Sequence, residues 1–207
     1  MGTLKMKRIF TLLACGTILV CASAASALTG DEAVGKFQAR MNGVGTMSGT
    51  ISWMYQSGQG YSGTFKYMAP GKILVKFTSP SGRILSSNGK RLWVFDSSSN
   101  ICGVQDLARG GSGGLAGLVS GYLAILTAQG PSGYTIKLKN SERAYSDVTL
   151  ALDGSFLPRK IVLLNKAGDG MSITFTNIRT GESMAPGIFD FSVPSNAQLV
   201  KNPLDVK

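Results

Sequence analysis

Between residues 61 and 96 apolar side chains recur at every second position, and turns of defined chemistry separate the runs. Gly63, Phe65 and Tyr67 alternate with Ser62, Thr64 and Lys66; past Pro70-Gly71, Ile73, Val75 and Phe77 alternate with Lys72, Leu74 and Lys76. A period of two places each apolar set on one side of a strand, so the spacing predicts neighbouring strands that share an apolar face. Asn88-Gly89, whose two positions accept positive φ, predicts a hairpin leading into residues 92–95, a run around Trp93 that is apolar on both sides.

The same alternation extends in both directions. Met47, Gly49, Ile51, Trp53 and Tyr55 form one side of a half-buried strand, with Trp53 pointing inward. Further strands are predicted at 134–138, 148–152 (Val148, Leu150 and Leu152 on one face), 157–164 (Ile161 and Leu163), 171–176 (Met171, Ile173 and Phe175) and 188–193, with a short one at 101–104. Short connections favour antiparallel pairing. The expectation is a mainly β chain: one strongly curved antiparallel sheet, an open half-barrel of about ten or eleven strands, with a few helices. The polar tail after Pro194 reads as loosely held.

Two segments break the strand pattern. Thr29-Gly-Asp-Glu32 has the form of a capping box, and Val34, Phe37, Gln38 and Met41 follow at helical spacing until Asn42-Gly43, which predicts an amphipathic helix lying on the sheet. Later, Leu115, Leu118, Val119, Tyr122, Leu123, Ile125 and Leu126 recur at i, i+3, i+4 and i+7 before Gly130-Pro131, which predicts a second, very apolar helix. Gly117 and Gly121 within it suggest close packing. Gly110, Gly111, Gly113 and Gly114 precede it as a flexible hinge, so residues 115–128 read as a lid, with an ordinary core helix as the alternative.

The 207 residues suit a single domain with a sizeable core. Lys5, Lys7 and Arg8, then the apolar residues 9–20 and Ala25-Ser-Ala27, read as a signal peptide cleaved before Leu28, leaving domain 28–207. A spanning helix would need ~20 apolar residues; a lipid anchor on Cys15 is the other alternative. Removing residues 1–27 takes away three basic and no acidic side chains, so a net charge of +10 becomes +7. The positive residues are scattered rather than grouped with stacking aromatics, which argues against nucleic acid and leaves anionic headgroups, acidic proteins or simple solubility.

Catalysis is poorly provided for. The chain has no histidine, which removes the usual general base and the commonest metal ligand, and no cofactor or metal motif is present. Asp96, Asp106, Asp153, Asp169 and Asp190 mostly occupy turn contexts, and no two stand at a spacing that suggests a catalytic pair. Cys102, the one cysteine beyond the signal, forms no internal disulfide and reads as a passive, partly buried thiol. Carriage accounts better for the residues: Trp53, Phe65, Tyr67, Ile73, Val75, Phe77 and Trp93, with Val148, Leu150, Ile161, Leu163, Ile173 and Phe175 from the later strands, would line an apolar interior closed by the lid. A barrel filled by its own side chains would give the same sequence pattern.

The order strand, Pro70-Gly-Lys72, strand, Pro80, then Ser87-Asn-Gly-Lys-Arg-Leu-Trp93-Val-Phe-Asp96 resembles the periplasmic outer-membrane lipoprotein carrier family. Leu157-Pro-Arg-Lys-Ile161, the run 170–177, and Gly187-Ile-Phe-Asp-Phe-Ser-Val-Pro194 continue the resemblance. It implies a non-enzymatic monomer without cofactor, whose N-terminal helix and lid helices flank a half-barrel. The implied cargo is the acylated N-terminal cysteine of a lipoprotein, loaded by an inner-membrane lipoprotein-releasing ABC transporter and unloaded to an outer-membrane acceptor lipoprotein. One position departs from the family: an arginine associated with transfer precedes the Pro-Gly-Lys turn there, and Ala69 stands here, leaving Lys66, Lys72 or Arg83 to substitute. A carrier of another hydrophobic molecule and an envelope lipoprotein-sensing module are the rival readings, although the sensors carry a second domain.

Overall fold

The computed structural model describes residues 28–107 and 119–201. The expected signal segment, Gly110, Gly111, Gly113, Gly114, Leu115 and Leu118 lie outside the described residues.

Helix α1 (Gly30–Gly43) starts as its sequence dictates. The Glu32 amide donates to the Thr29 hydroxyl at 3.2 Å, and the Thr29 amide donates to the Glu32 carboxylate at 2.8 Å, which together complete the capping box. That backbone bond, then the hydroxyl bond, hold the Glu32 carboxyl below its ordinary range. Ala33, Phe37 and Met41, on one stripe of the helix, are buried.

The chain then meanders through β1 (Thr46–Tyr55), β2 (Gly60–Met68), β3 (Lys72–Ser79), β4 (Ser81–Asn88), β5 (Arg91–Asp96) and β6 (Ile101–Asp106). It resumes at the opposite edge and meanders back through β7 (Leu123–Gly130), β8 (Gly133–Lys139), β9 (Tyr145–Leu152), β10 (Pro158–Asn165) and β11 (Gly170–Thr180), so that β11 pairs with β1. A 3-10 turn (Pro186–Phe189) and β12 (Gln198–Lys201) follow. Among the described residues the result is one sheet of 12 strands, more than the ten or eleven expected, in the order β12-β6-β5-β4-β3-β2-β1-β11-β10-β9-β8-β7, antiparallel except where β12 runs parallel to β6.

Register carries the apolar alternation across the sheet. Met47 lies opposite Tyr67 and Tyr67 opposite Ile73; Ile51 lies opposite Phe175, Ile161 opposite Leu150, and Leu150 opposite Ile136. This inner face receives α1, and Phe37 and Met41 join Phe65, Tyr67, Ile136, Leu138, Leu150 and Phe175 in one core. The outer face carries Ser48, Thr64, Lys66, Lys76, Lys137 and Lys160.

Four expectations are corrected. The sheet is open, with β7 and β12 as its edges among the described residues, and is neither closed nor strongly curled, so a strongly curved half-barrel overstated it. Residues 123–130 form edge strand β7 instead of continuing a lid helix: Ala124 pairs with Leu138 and Leu126 with Ile136. A run apolar at 122, 123, 125 and 126 satisfies both periods, and tertiary contact decides for the strand: pairing with β8 turns Ala124 and Leu126 onto the inner face, where they pack against the core. Residues 188–193 form no strand; Pro186 opens the 3-10 turn and Phe189 is buried on the outer face, its carbonyl accepting from Ser86 Oγ at 2.8 Å. The tail is held by β12, whose Gln198 amide donates to the Asn100 carbonyl at 2.8 Å.

Two glycines of α1 give opposite predictions for the same change. A Cβ on Gly30 would lie 2.3 Å from the Ala124 carbonyl oxygen, because the helix N-terminus rests on β7, whereas one on Gly35 meets nothing within 4 Å. Gly30→Ala is expected to destabilise by about 1–3 kcal/mol through overpacking. Gly35→Ala is expected to stabilise by about 0.5–1 kcal/mol through helix propensity. Urea titrations of both variants check the pair of signs.

Candidate functional site

The inner face falls into two zones. Where α1 crosses the sheet it is sealed: Tyr67 donates to the Met41 carbonyl at 3.4 Å, burial pushes the Tyr67 hydroxyl up from its ordinary pKa, and Phe65 packs edge-on against Phe175 with ring centres 5.3 Å apart. Six residues further along β1, about 20 Å at ~3.3 Å per residue, the face is half-open. There Trp53, Tyr55, Tyr61 and Phe77 form a chain of tilted and edge-on rings with centres 5.7–6.2 Å apart, beside half-buried Leu163 and Ile173. The Trp53 Nε1 is buried there without a hydrogen-bond acceptor among the described residues.

A polar clamp marks the rim of this zone. Arg83 Nε donates to Asp96 at 2.6 Å, its Nη1 donates to the Tyr61 hydroxyl at 2.6 Å, and the guanidinium lies 4.7 Å from the centre of the Tyr61 ring. Bonds from the Ser98 hydroxyl and amide, with Arg83 adding to them, hold the Asp96 carboxyl below its ordinary value of 3.8 despite some desolvation. A depressed carboxylate stabilises the fold above the unfolded pKa and loses that contribution as pH falls through the folded one. The parent is therefore expected to exceed Asp96→Asn in stability by up to about 1 kcal/mol at neutral pH and to converge with it in acid; melting curves from pH 7 downward measure it.

An enclosed cavity of about 90 Å³ lies between α1 and the sheet, lined by Phe37, Val119, Tyr122, Tyr145, Val148, Leu150, Ile161 and Leu163. It joins residues expected of the interior with two expected of the lid. Val119 and Tyr122 belong to a turn that is tied down: Tyr122 donates to the Tyr145 carbonyl at 2.8 Å, Asn140 Nδ2 to the Gly121 carbonyl at 2.6 Å, and Gln38 Nε2 to Ser120 Oγ at 3.4 Å. Gly121 serves that turn with φ of 80°, not a helix contact. A larger depression of about 620 Å³ sits among the polar hairpin ends at Gly130, Ser132, Asp153 and Arg159.

The structure thus places Trp53, Phe65, Tyr67, Ile73, Val75, Phe77, Val148, Leu150, Ile161, Leu163, Ile173, Phe175 and Leu126 on one face. Trp93 is the exception: it lies opposite Ser86, and so belongs to the outer face beneath the 3-10 turn. Of Lys66, Lys72 and Arg83, the two lysines are on the outer face and Arg83 is at the inner rim. Sequence reasoning passed over Tyr55 and Tyr61 as site residues, although both share the parity of Trp53 and Phe65. Cys102 is completely buried on the outer face, and burial pushes its thiol up from the ordinary range, which disfavours the thiolate.

The family model for the outer membrane lipoprotein carrier protein LolA matches residues 50–192, the sheet from β1 to the segment after the 3-10 turn. The chain belongs to the outer membrane lipoprotein carrier family. Two members illustrate the similarity. The outer-membrane lipoprotein carrier protein of Neisseria meningitidis serogroup C is 27% identical over 221 residues, covering 96% of this chain and all of that one. That of Methylococcus capsulatus is 28% identical over 149 residues, 68% of this chain and 71% of its own. A crystal structure of an uncharacterised conserved protein from Thermus thermophilus superposes with a TM-score of 0.56 at 13% identity, over 83% of this chain and 98% of that one, and supports the fold. The lipoprotein carrier family is periplasmic and non-enzymatic, so the face described above belongs to a transport protein.

Proposed function

We propose that this lipoprotein carrier is exported, loses residues 1–27, and carries the acyl chains of lipoproteins from the inner to the outer membrane on the inner face of its sheet. The observation that supports this most is the continuity of that face: one apolar surface, sealed under α1 and half-exposed from Trp53 to Ile173, with Arg83 at its rim.

The cavity of about 90 Å³ is far below the roughly 300 Å³ of a small-molecule pocket. An acyl chain therefore enters by spreading from the half-open zone and displacing Phe37 and the turn at Val119 and Tyr122. The displaced contacts oppose binding, which favours release. Release still needs help: at ~0.8 kcal/mol per methylene a chain of about fifteen contributes ~12 kcal/mol, and three chains exceed the ~18–21 kcal/mol at which noncovalent affinity saturates. An energy-driven inner-membrane transporter for loading and an outer-membrane acceptor for unloading meet that requirement.

Mass spectrometry of the protein recovered from a periplasmic extract tests the reading. Co-purifying acylated peptide is the expected result, with a titrated fluorescent fatty acid shifting Trp53 emission. A different bound lipid would make this a carrier of another molecule, and a protein that takes up no probe would have a face closed by its own side chains.

A further inference from the structure

We propose that the outer face of the sheet, the side away from α1, docks this protein on an anionic phospholipid bilayer. The register places large apolar side chains and lysines in adjoining rows there. Ile125 lies opposite Lys137, and Leu123 opposite Lys139, on β7 and β8. Leu123 is 66% exposed and Ile125 43%. On the same face further in, Leu164 and Met54 are also exposed, and Lys160 follows two residues before Val162, which pairs with Thr149.

Charge on this face is predominantly positive. Lys66 and Lys76 extend it along β2 and β3, both exposed, with Ser and Thr between them and Lys160. Two acids interrupt it, each beside a cation: Asp147, opposite Leu164, lies 3.4 Å from Lys139 and offsets it, and Glu182 lies 3.6 Å from Arg179 and accepts from Ser48, which leaves Lys66, Lys76, Lys137 and Lys160 as the charge available to a surface. Interfaces between proteins exclude lysine from their centres, whereas a bilayer surface takes single apolar tips into the headgroup boundary and meets the lysines with phosphate. Leucine and isoleucine spaced among lysines, without a contiguous apolar patch, fit the second chemistry.

Vesicle flotation tests the assignment, with phosphatidylcholine alone set against an equal mixture with phosphatidylglycerol. Parent protein is expected to bind the mixed vesicles about tenfold better at low salt and to lose most of that advantage at high salt. Lys137→Gln with Lys160→Gln should remove most of the preference. Lys36→Gln with Lys90→Gln, an equal charge change on α1 and the β4–β5 turn, should leave it. Leu123→Ser with Ile125→Ser should weaken what persists at high salt. Equal loss in the two lysine pairs would overturn the proposal, as would equal binding to neutral vesicles. So would a dimer that Leu123→Ser dissociates without altering vesicle binding, which would assign the β7 edge to a second copy of the chain.

Discussion

Truncating Phe37 to alanine will lower stability by about 3–5 kcal/mol and the melting midpoint by about 6–20 °C, and it will also make the protein more responsive to lipid. Phe37 is 1% exposed and stands between α1 and the cavity it shares with Leu150, Ile161 and Tyr122. Removing the ring joins its volume to the existing void, and an apolar void of that kind stays dry. A saturating fluorescent fatty acid will then recover part of the lost midpoint by mass action, and the recovery will exceed any shift it produces in the parent. Paired thermal melts read both effects. A variant that loses stability but gains nothing from the fatty acid would show that this cavity is closed to cargo.

An aspartate at Ile173 will leave the fold standing and weaken acyl-probe binding at least tenfold, whereas an aspartate at Leu150 will unfold the protein. The two residues lie on the same face, each facing Ile161 from a neighbouring strand. Leu150 is sealed under α1, so its replacement would bury a carboxylate without a partner, at a cost of several kcal/mol against a total stability of about 5–15 kcal/mol. Ile173 is half-buried beside Trp53, so its carboxylate keeps part of its hydration and the loss is about 1–2 kcal/mol of burial. Circular dichroism with probe titration separates the outcomes. Unfolding of both variants would make the whole face ordinary core, and unchanged binding by Ile173→Asp would move the cargo elsewhere.

Much of the architecture was legible because β-strand burial has a period of two. The alternation at Ile73, Val75 and Phe77 assigns those side chains to one face, and Asn88-Gly89 places a hairpin where β4 turns into β5. Thr29 and Glu32 fixed the start of α1 through chemistry confined to four residues. Parity failed at Trp93, where both faces of the strand are apolar and the sequence holds no sign of which one meets the 3-10 turn. It failed again from Leu123 to Gly130, whose spacing admits a helix as readily as a strand.

The local chain therefore determined what nearest neighbours decide: the strand faces, the turns, the helix cap, and the absence of histidine chemistry. Tertiary structure decided what depends on contacts distant in sequence. Pairing with β8 and the core beneath α1 made residues 123–130 a strand, the outer-face surface near Ser86 took Phe189, and α1 sealed one half of the inner face while leaving Trp53, Phe77 and Ile173 half-exposed. Each of these outcomes was set by an unsatisfied backbone or an uncovered apolar surface, and those exist only after the sheet has assembled.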